Sequence, residues 1–247
     1  MKYGYCHLSL APLRKENNHR SELISQFLFG DCFKVIKQKG EWLLVSGLLD
    51  QYEGWIEIKQ QSEISENEAL SNTKNPKFSF DLVHYVSNQN SLIPILLGSN
   101  LATNSLFDIH YDGQLVPSKK EKEMLTEFAM LYLHAPYLWG GKTPFGIDCS
   151  GLVQMVYRLQ GIFLPRDAAQ QAEVGTTLSF VEESEPGDLA FFDDEQGTIV
   201  HVGILLKNHH IIHAHGSVRI DRIDQTGIYN STLNKHSHKL RLIKRII

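Results

Sequence analysis

Residues 146–151 read GIDCSG, and this run determines how the second half of the chain is interpreted. It places Cys149 between two polar residues, Asp148 and Ser150. Apolar residues then recur at helical spacing over residues 150–159, so we expect a helix whose first turn contains the cysteine. Unpaired N–H groups and partial positive charge at that helix end would lower the pKa of the thiol and favour a nucleophile.

The chain contains three cysteines, Cys6, Cys32 and Cys149. An odd number fits a reducing compartment or one reactive thiol better than a set of disulfides. A lone cysteine can also be a small buried apolar residue, and we favour this for Cys6 and Cys32 because both adjoin strand-like sequence. For Cys149, the immediate context alone leaves both interpretations open.

Two histidines are candidate bases for the thiol. His201 lies in a strand-like run at 199–206, His213 lies in a second run at 210–214, and the polar residues between them predict a turn. The strands would then form a hairpin with the histidines side by side, one acting as the base and the other orienting it. A histidine in an apolar strand is, however, often only a core residue.

Four histidines lie close together in the sequence: His209, His210, His213 and His215. Such a cluster can suggest a metal site, but neighbouring residues of a strand point to opposite faces and no H-E-x-x-H pattern occurs. We therefore expect neither a metal ion nor another cofactor. His236 and His238 are interpreted as solvated surface residues.

The composition limits the classes of partner. A hydrophobic fraction of 42% is ordinary for a folded protein, and a net charge of −4 gives no electrostatic reason to bind nucleic acid or an anionic membrane. No apolar run approaches the roughly 20 residues that span a bilayer. The first residues lack the apolar core of a signal peptide, so we expect a cytoplasmic protein. The oligomeric state is not determined by the sequence.

The pattern of the sequence divides the chain into three zones. Residues 1–62 contain short strands joined by turns, which predicts a small all-β barrel. A polar stretch at 61–75 indicates a linker. Residues 63–117 are therefore expected to contain a linker and a possible second small β unit. Residues 118–247 place helices before a set of strands, which predicts an α+β domain.

The α+β domain has further predicted elements. Apolar spacing predicts a first helix over 121–133, with Ser118 and Glu121 as a capping box. The predicted strands cover 188–192, 199–206, 210–214 and 240–246.

Six short runs within residues 120–247 resemble the NlpC-type family of bacterial cell-wall cysteine peptidases, whose domain has a papain-like α+β fold. The runs are PYLWGG (136–141), DCSGLV (148–153), LPRD (164–167), PGDLAFF (186–192), HVGI (201–204) and IHA (212–214). They occur in the family's order, so that together they are far more specific than any one of them alone.

The resemblance implies a Cys-His-His catalytic triad. Cys149 would be the nucleophile, His201 the base and His213 the residue that orients the base. The hydroxyl of Tyr137 would help to hold the oxyanion. Independently of the resemblance, the backbone amide of Cys149 is a candidate oxyanion donor, because it lies at the start of a helix.

The N-terminal zone resembles a bacterial Src-homology-3-like barrel, notably in SELISQ (21–26) and YEGWI (52–56). One branch of the family carries such barrels and cleaves the bond between γ-D-glutamate and a diamino acid in short murein peptides with a free N-terminal L-alanine. By resemblance, the substrate-binding residues would be Asp148, Ser150, Tyr137, Glu22 and Tyr52. A buried ammonium group needs carboxylate partners, which Asp148 and Glu22 would supply. The branch often has a serine where this chain has Ala168.

The resemblance therefore implies a γ-D-glutamyl-L-diamino acid endopeptidase in murein-peptide recycling, with a murein-derived peptide as its partner. The diamino acid that follows D-Glu is left open. One alternative is a catalytically silent module that binds cell-wall peptide, which the intact set of Cys149, His201 and His213 disfavours. The other is an amidase or acyltransferase on the same fold. Acyl transfer on a lipid would require an apolar membrane-facing segment, and the sequence shows none.

Overall fold

The computed structural model describes residues 2–88, 91–102, 108–118, 121–231 and 233–247. The chain forms two compact units: Met1–Ser118 with Trp139–Thr143, and Lys119–Leu138 with Pro144–Ile247. The segment Trp139–Thr143, which contains part of the PYLWGG run, therefore belongs to the first unit.

The first unit is built on a seven-stranded antiparallel sheet with the strand order β3-β2-β6-β5-β4-β1-β7. Its strands are β1 (Lys2–Tyr5), β2 (Leu10–Arg14), β3 (Leu23–Leu28), β4 (Cys32–Lys39), β5 (Trp42–Gly47), β6 (Glu53–Glu57) and β7 (Ser62–Ile64). Five of these strands contribute side chains to one core, which includes Leu13, Phe27, Phe33, Val45 and Ile56. Burial alternates along β5 and β6, as expected for strands with one face on a core. The predicted small all-β barrel is confirmed.

A helix, α1 (Glu66–Lys74), lies where the sequence predicted a linker. It begins at a capping box in which the amide of Glu68 donates to Ser65 Oγ, and the amide of Ser65 donates to the Glu68 carboxylate at 2.7 Å. Ala69 packs in a small core with side chains of β1. The linker prediction for 61–75 was wrong because a capping box and one narrow buried face are enough for a short helix that packs on a sheet.

The possible second β unit is a two-stranded antiparallel hairpin. The remaining strands of the first unit are β8 (Val83–Asn88), β9 (Ser91–Leu96) and β10 (Lys142–Thr143). Val86 and Ile95 on the buried face of the hairpin pack with Phe29, which follows β3. The hairpin therefore shares a core with residues of the barrel zone.

The second unit is built on a closed ring of strands. Its elements are α2 (Met124–Met130), β11 (Gly146–Ile147), α3 (Cys149–Leu159), α4 (Ala168–Gln171), β12 (Thr176–Leu178), β13 (Leu189–Asp193), β14 (Ile199–Leu206), β15 (His210–His215), β16 (Ser217–Ile223), β17 (Gly227–Asn230) and β18 (Lys235–Arg245). The order is β12-β18-β13-β14-β15-β16-β17, and β18 also pairs with β17. Strands β13 to β18 therefore close on themselves around a core that includes Phe192, Leu205, Ile211, Ile223 and Ile243. The predicted α+β fold is confirmed.

Helix α3 packs against β14 and β15 of this ring. It begins at Cys149, as predicted, because the carboxylate of Asp148 accepts a hydrogen bond from the amide of Gly151 at 2.7 Å and caps the helix. It ends where Gly161, with φ of 72°, donates to the carbonyl of Arg158 at 2.8 Å. Over the described part of the chain, α3 and the other helices all lack the length and apolar character needed to cross a bilayer.

Helix α2 is shorter than predicted. It covers Met124–Met130 rather than 121–133, and Glu123 at its N-terminal end makes no side-chain capping bond. The predicted capping box of Ser118 and Glu121 was therefore wrong. Three buried apolar residues hold this short helix, so tertiary packing rather than a cap accounts for it.

Candidate active site

The thiol of Cys149 lies at the N-terminal end of α3, in a residue that is only 7% exposed. The backbone N–H groups of Val202 and Ser150 direct hydrogen bonds at its sulfur. Val202 follows His201 directly on β14. The cysteine thus lies against the strand that carries the predicted base.

The resting thiol is neutral. Burial and, next, the carboxylate of Asp148 raise the pKa of Cys149 to about 11, while the two backbone amides and Arg166 act in the opposite direction. The expectation of a lowered pKa was therefore wrong for the resting site, because desolvation of the thiolate outweighs the favourable helix end. Cys149 must pass its proton to a base when it attacks.

His201 on β14 and His213 on β15 lie side by side, as the predicted hairpin requires. Nε2 of His201 is 2.8 Å from Nδ1 of His213, and the two residues are 6% and 1% exposed. Asn208 and His209 make the turn with φ of 58° and 54°, a region in which asparagine and histidine are enriched. The turn residues therefore set the register that pairs the two rings.

Both imidazoles are neutral. Burial lowers the pKa of His201 well below 6.5, and the neighbouring histidines add to this effect. Burial also lowers the pKa of His213, although Asp221 acts in the opposite direction. A neutral His201 is the form that can accept a proton.

A carboxylate that the sequence reasoning missed ends this row of hydrogen bonds. Nε2 of His213 is 3.1 Å from Oδ2 of Asp221 on β16. The guanidinium group of Arg219 pairs with the same carboxylate. Its Nη2 is 2.8 Å from Oδ1 and its Nε is 2.7 Å from Oδ2. Burial raises the pKa of Asp221, but the hydrogen bonds from His213 and Arg219 outweigh it and the pKa is lowered. Asp221 is therefore ionised and can only accept hydrogen bonds.

The carboxylate fixes the direction of each hydrogen bond in the row. Because Asp221 only accepts, His213 carries its proton on Nε2 and accepts at Nδ1. His201 must then donate from Nε2 to His213, which leaves a lone pair on its Nδ1. This nitrogen is the one able to take the proton of Cys149.

On the other side of the thiol is a buried ionic cluster. Arg166 is 2% exposed, and its Nη2 and Nη1 bind the two carboxylate oxygens of Asp148 at 2.5 and 2.9 Å. Nη1 also donates to Ser150 Oγ at 2.9 Å. Asp148 is thus both a helix cap and half of a bidentate ion pair. The predicted contacts of Asp148 and Ser150 with a substrate amine stay predictions.

Tyr137 is the predicted side-chain donor to an oxyanion. Burial and, next, the electrostatic influence of Cys149 raise its pKa to about 12, so the hydroxyl keeps its proton. The backbone of Tyr137 forms a β-bridge with Ile147, two residues before Cys149, and 37% of the residue is exposed. The structure therefore brings together Tyr137, Cys149, His201 and His213, while the role of Tyr137 stays a prediction.

Glu22 and Tyr52 belong to the first unit. Tyr52 is partly buried against the barrel core. The carboxylate of Glu22 accepts a hydrogen bond from Nε1 of Trp139 at 2.8 Å and pairs with Lys15 at 3.1 Å. Lys15 first, and then Trp139, lower the pKa of Glu22, which is therefore ionised. The predicted substrate roles of Glu22 and Tyr52 stay predictions.

The interpretation of His238 as a solvated residue was wrong. Strand β18 begins at Lys235 rather than at residue 240, and His238 on it stacks on His201 with ring centroids 4.3 Å apart. His215 lies edge-on to His238 at 4.8 Å. Within the described ranges, no group of three or more His, Cys, Asp or Glu side chains is arranged to hold a metal ion.

Two family matches agree with these sites. Residues 134–238 match the NlpC/P60 family, and residues 13–60 match the bacterial dipeptidyl-peptidase Sh3 domain. The resemblance seen in the six sequence runs is confirmed. The NlpC/P60 match includes Cys149, His201 and His213, and the Sh3 match includes Glu22 and Tyr52.

Curated relatives extend the likeness beyond the NlpC/P60 domain. The chain is 27% identical over 217 residues to gamma-D-glutamyl-L-lysine dipeptidyl-peptidase of Bacillus subtilis (strain 168), covering 77% of this chain and 71% of the relative. It is 26% identical to dipeptidyl-peptidase 6 of Lysinibacillus sphaericus, covering 87% and 90%. A crystal structure of an NlpC/P60 family protein from Bacillus cereus ATCC 10987 superposes with a TM-score of 0.78 at 20% identity over 99% of each chain, which supports the fold.

Proposed function

We propose that the chain is a cell-wall peptidase that hydrolyses the γ-D-glutamyl–diamino acid bond of short murein peptides with a free N-terminal L-alanine. The observation that carries the peptidase chemistry is the directed row from His201 through His213 to Asp221 beside Cys149. It leaves Nδ1 of His201 able to accept a proton, and His201 lies on the strand against which the helix of Cys149 packs.

The first half of the reaction forms an acyl-enzyme. The Cys149 sulfur attacks the γ-carbonyl of D-glutamate while its proton passes to Nδ1 of His201. The tetrahedral oxyanion accepts hydrogen bonds from the Cys149 amide and the Tyr137 hydroxyl. His201 then gives its proton to the leaving amine, the C–N bond breaks, and a thioester remains.

The second half returns the free enzyme. His201 removes a proton from water, the water oxygen attacks the thioester, and the sulfur leaves and regains its proton. In both halves His201 becomes positively charged for a short time. His213 and the ionised Asp221 stabilise that charge through hydrogen bonds along the row.

The substrate assignment draws on the comparisons. A dipeptidyl-peptidase releases a dipeptide from an N-terminus, and relatives with this name cover most of the chain. L-Ala-γ-D-Glu is the dipeptide that the proposed cleavage would release. The matched Sh3 domain is likewise described for bacterial dipeptidyl-peptidases.

The proposal includes the substrate contacts implied by the family resemblance. Glu22 is ionised and can attract an ammonium group, and Asp148, which pairs with Arg166, would supply a second carboxylate. Ala168 is buried at the start of α4 and offers no hydroxyl where the branch often has a serine. Glu22→Gln should therefore raise KM for a free-amine tripeptide.

We further propose that the reaction takes place in the cytoplasm, where murein peptides are recycled. All three cysteines are free, as expected in a reducing compartment. Cell fractionation followed by immunoblotting would test this location, and recovery of the protein outside the cytoplasmic fraction would contradict it.

The decisive assay uses synthetic L-Ala-γ-D-Glu-L-Lys and L-Ala-γ-D-Glu-diaminopimelate, with release of the free diamino acid followed by mass spectrometry. Matched controls are the N-acetylated peptides and peptides with an α-linked D-Glu, neither of which should be cleaved. Cys149→Ala should abolish release. No release by the wild type, or undiminished release by Cys149→Ala, would overturn the proposal. Peptide binding by calorimetry without turnover would instead identify a silent binding module.

A further inference from the structure

His238 on β18 covers one face of the His201 ring. The ring centroids lie 4.3 Å apart and the planes meet at 24°, so the rings are stacked. Phe192 on β13 lies 5.8 Å from His201 and 5.9 Å from His238, which completes an aromatic wall. Contact with these rings helps to explain why His201 is buried although it must meet a substrate.

Two contacts hold His238 in place, one at its ring and one at its backbone. Its Nδ1 is 2.8 Å from Oγ of Ser237. On the neighbouring strand β17, a Cβ atom at Gly227 would lie 1.8 Å from the carbonyl oxygen of His238. Only a glycine allows this close approach, and its φ of 143° is one that other residues rarely adopt. The close pairing of β17 with β18 therefore fixes the backbone of His238.

The charge around His201 comes from several strands. His213 and His215 face it from β15 and His238 faces it from β18, while Asp221 and Arg219 of β16 act through His213. Burial, then His213, then His238, lower the pKa of His201. Burial first, with His213 and His215, lowers the pKa of His238 itself to about 4, and Asp221 opposes this.

His238 is consequently uncharged at neutral pH, when His201 takes the proton of Cys149. An uncharged aromatic face stacked on an imidazolium stabilises the new charge. A cation at the same place would repel it. The ring therefore suits a base that becomes charged for only part of the catalytic cycle.

We propose that His238 is a positioning residue for the peptidase reaction, holding the His201 ring with Nε2 on His213 and Nδ1 free for the thiol, and shielding that ring from water. Its catalytic consequence rests on the proposed function. Its effect on the His201 ring does not, because it depends only on the stacking geometry.

The first experiment compares His238→Ala, His238→Phe and a control, His236→Ala. His236 lies on the same strand, is exposed, and pairs with Asp224 at 2.9 Å rather than with the catalytic histidines. His238→Ala should lower kcat on L-Ala-γ-D-Glu-L-Lys by about 10- to 100-fold, by analogy with the loss of residues that orient metal-binding histidines. KM should change little. His238→Phe keeps an aromatic cover and should regain most of kcat, and His236→Ala should match the wild type.

The second experiment measures the pKa of His201 directly by NMR titration, with the resonance assigned by its loss in His201→Gln. His238→Ala admits water to the ring and removes one neighbouring imidazole, so the pKa of His201 should rise. His238→Phe should give a smaller rise, and His236→Ala should give none.

The outcomes separate the two ideas. If no tripeptide is cleaved but the NMR shift occurs, the proposed function fails while the placement of His238 stands. An unchanged kcat together with an unchanged His201 pKa in His238→Ala would overturn the inference. If His238→Ala does not fold, the test passes to His238→Phe. A folded His238→Phe with kcat near that of His236→Ala would support the inference. A folded His238→Phe without activity would overturn it.

Discussion

The two sides of the candidate active site are stabilised by different physics. The thiol side, Asp148, Cys149, Ser150 and Arg166, is held by full charges that are buried and paired. The histidine side, His201, His213 and His238, consists of rings whose pKa values are lowered by burial, with one ionised carboxylate at its far end. Removing a charged partner on the thiol side should therefore affect folding, whereas changes on the histidine side should affect the chemistry and its pH dependence.

The nucleophile tests this comparison most strongly, because it belongs to the thiol side but carries no charge at rest. Cys149→Ala should reduce kcat/KM by about 10⁴-fold or more and leave the free energy of unfolding nearly unchanged. Cys6→Ala is the matched control, since Cys6 is fully buried in the barrel core. It should lower stability and spare activity, as judged by urea unfolding and peptide cleavage. Comparable activity losses in the two variants would contradict this prediction.

Breaking the buried ion pair of Asp148 and Arg166 should have the next largest effect, a loss of stability. Arg166→Met leaves the carboxylate of Asp148 buried without its partner and should lower the free energy of unfolding by about 3–5 kcal/mol. The double variant Asp148→Asn with Arg166→Met should recover part of this loss. The exposed pair of His236 and Asp224 provides the control, and Asp224→Asn should cost about 0–1 kcal/mol. Equal losses in Arg166→Met and Asp224→Asn would remove the distinction between the two sides.

Asp221 tests the histidine side. Asp221→Asn presents an amide that can donate as well as accept, so it no longer fixes the direction of the row through His213. We expect kcat/KM to fall by about 10²- to 10⁴-fold, mainly through kcat. Steady-state kinetics on the tripeptide, with thermal unfolding as a check on folding, would measure this. A variant with unchanged kcat would show that the tautomer of His201 is set by other contacts.

The pH dependence of activity and stability should show the smallest of the four effects, and it tests the lowered pKa of His201. Because the pKa of His201 is lowered, its neutral form persists below pH 6.5, and the acid limb of kcat/KM should lie below that value. The unfolded chain binds protons at this histidine that the folded chain excludes, so this histidine's contribution to stability should decrease as pH falls below about 6.5. Rates and urea midpoints between pH 4 and 8 would measure both. An acid limb at or above pH 6.5 would indicate an exposed base.

Local signals predicted much of the candidate site. Asp148 as a helix cap and Gly161 as a helix end delimit α3, and the turn at Asn208 pairs β14 with β15. These features depend on residues close together in the sequence. For the same reason, the juxtaposition of His201 and His213 could be predicted without the structure.

The remaining site residues depend on contacts between distant segments. Arg219 and Asp221 alternate with apolar residues along β16, and their spacing of two places opposite charges on one face. That pattern was a usable signal, but the partner of Asp221 is fixed only when β15 and β16 pair. His238 lies in the polar run KHSHK (235–239), which resembles surface sequence until β18 closes the ring. The high pKa of Cys149 likewise arises from burial, which local sequence does not encode.

The closing strand has a consequence for synthesis of the protein. Cys149, His201, His213 and Asp221 all precede β18 in the chain, whereas His238 is carried on it. A ribosome therefore makes the nucleophile and the row of hydrogen-bonding groups before it makes the strand that completes the ring. At about 5–20 residues per second, β18 follows Asp221 within seconds. The ring of His201 is therefore covered by His238 only after β18 docks and closes the ring of strands.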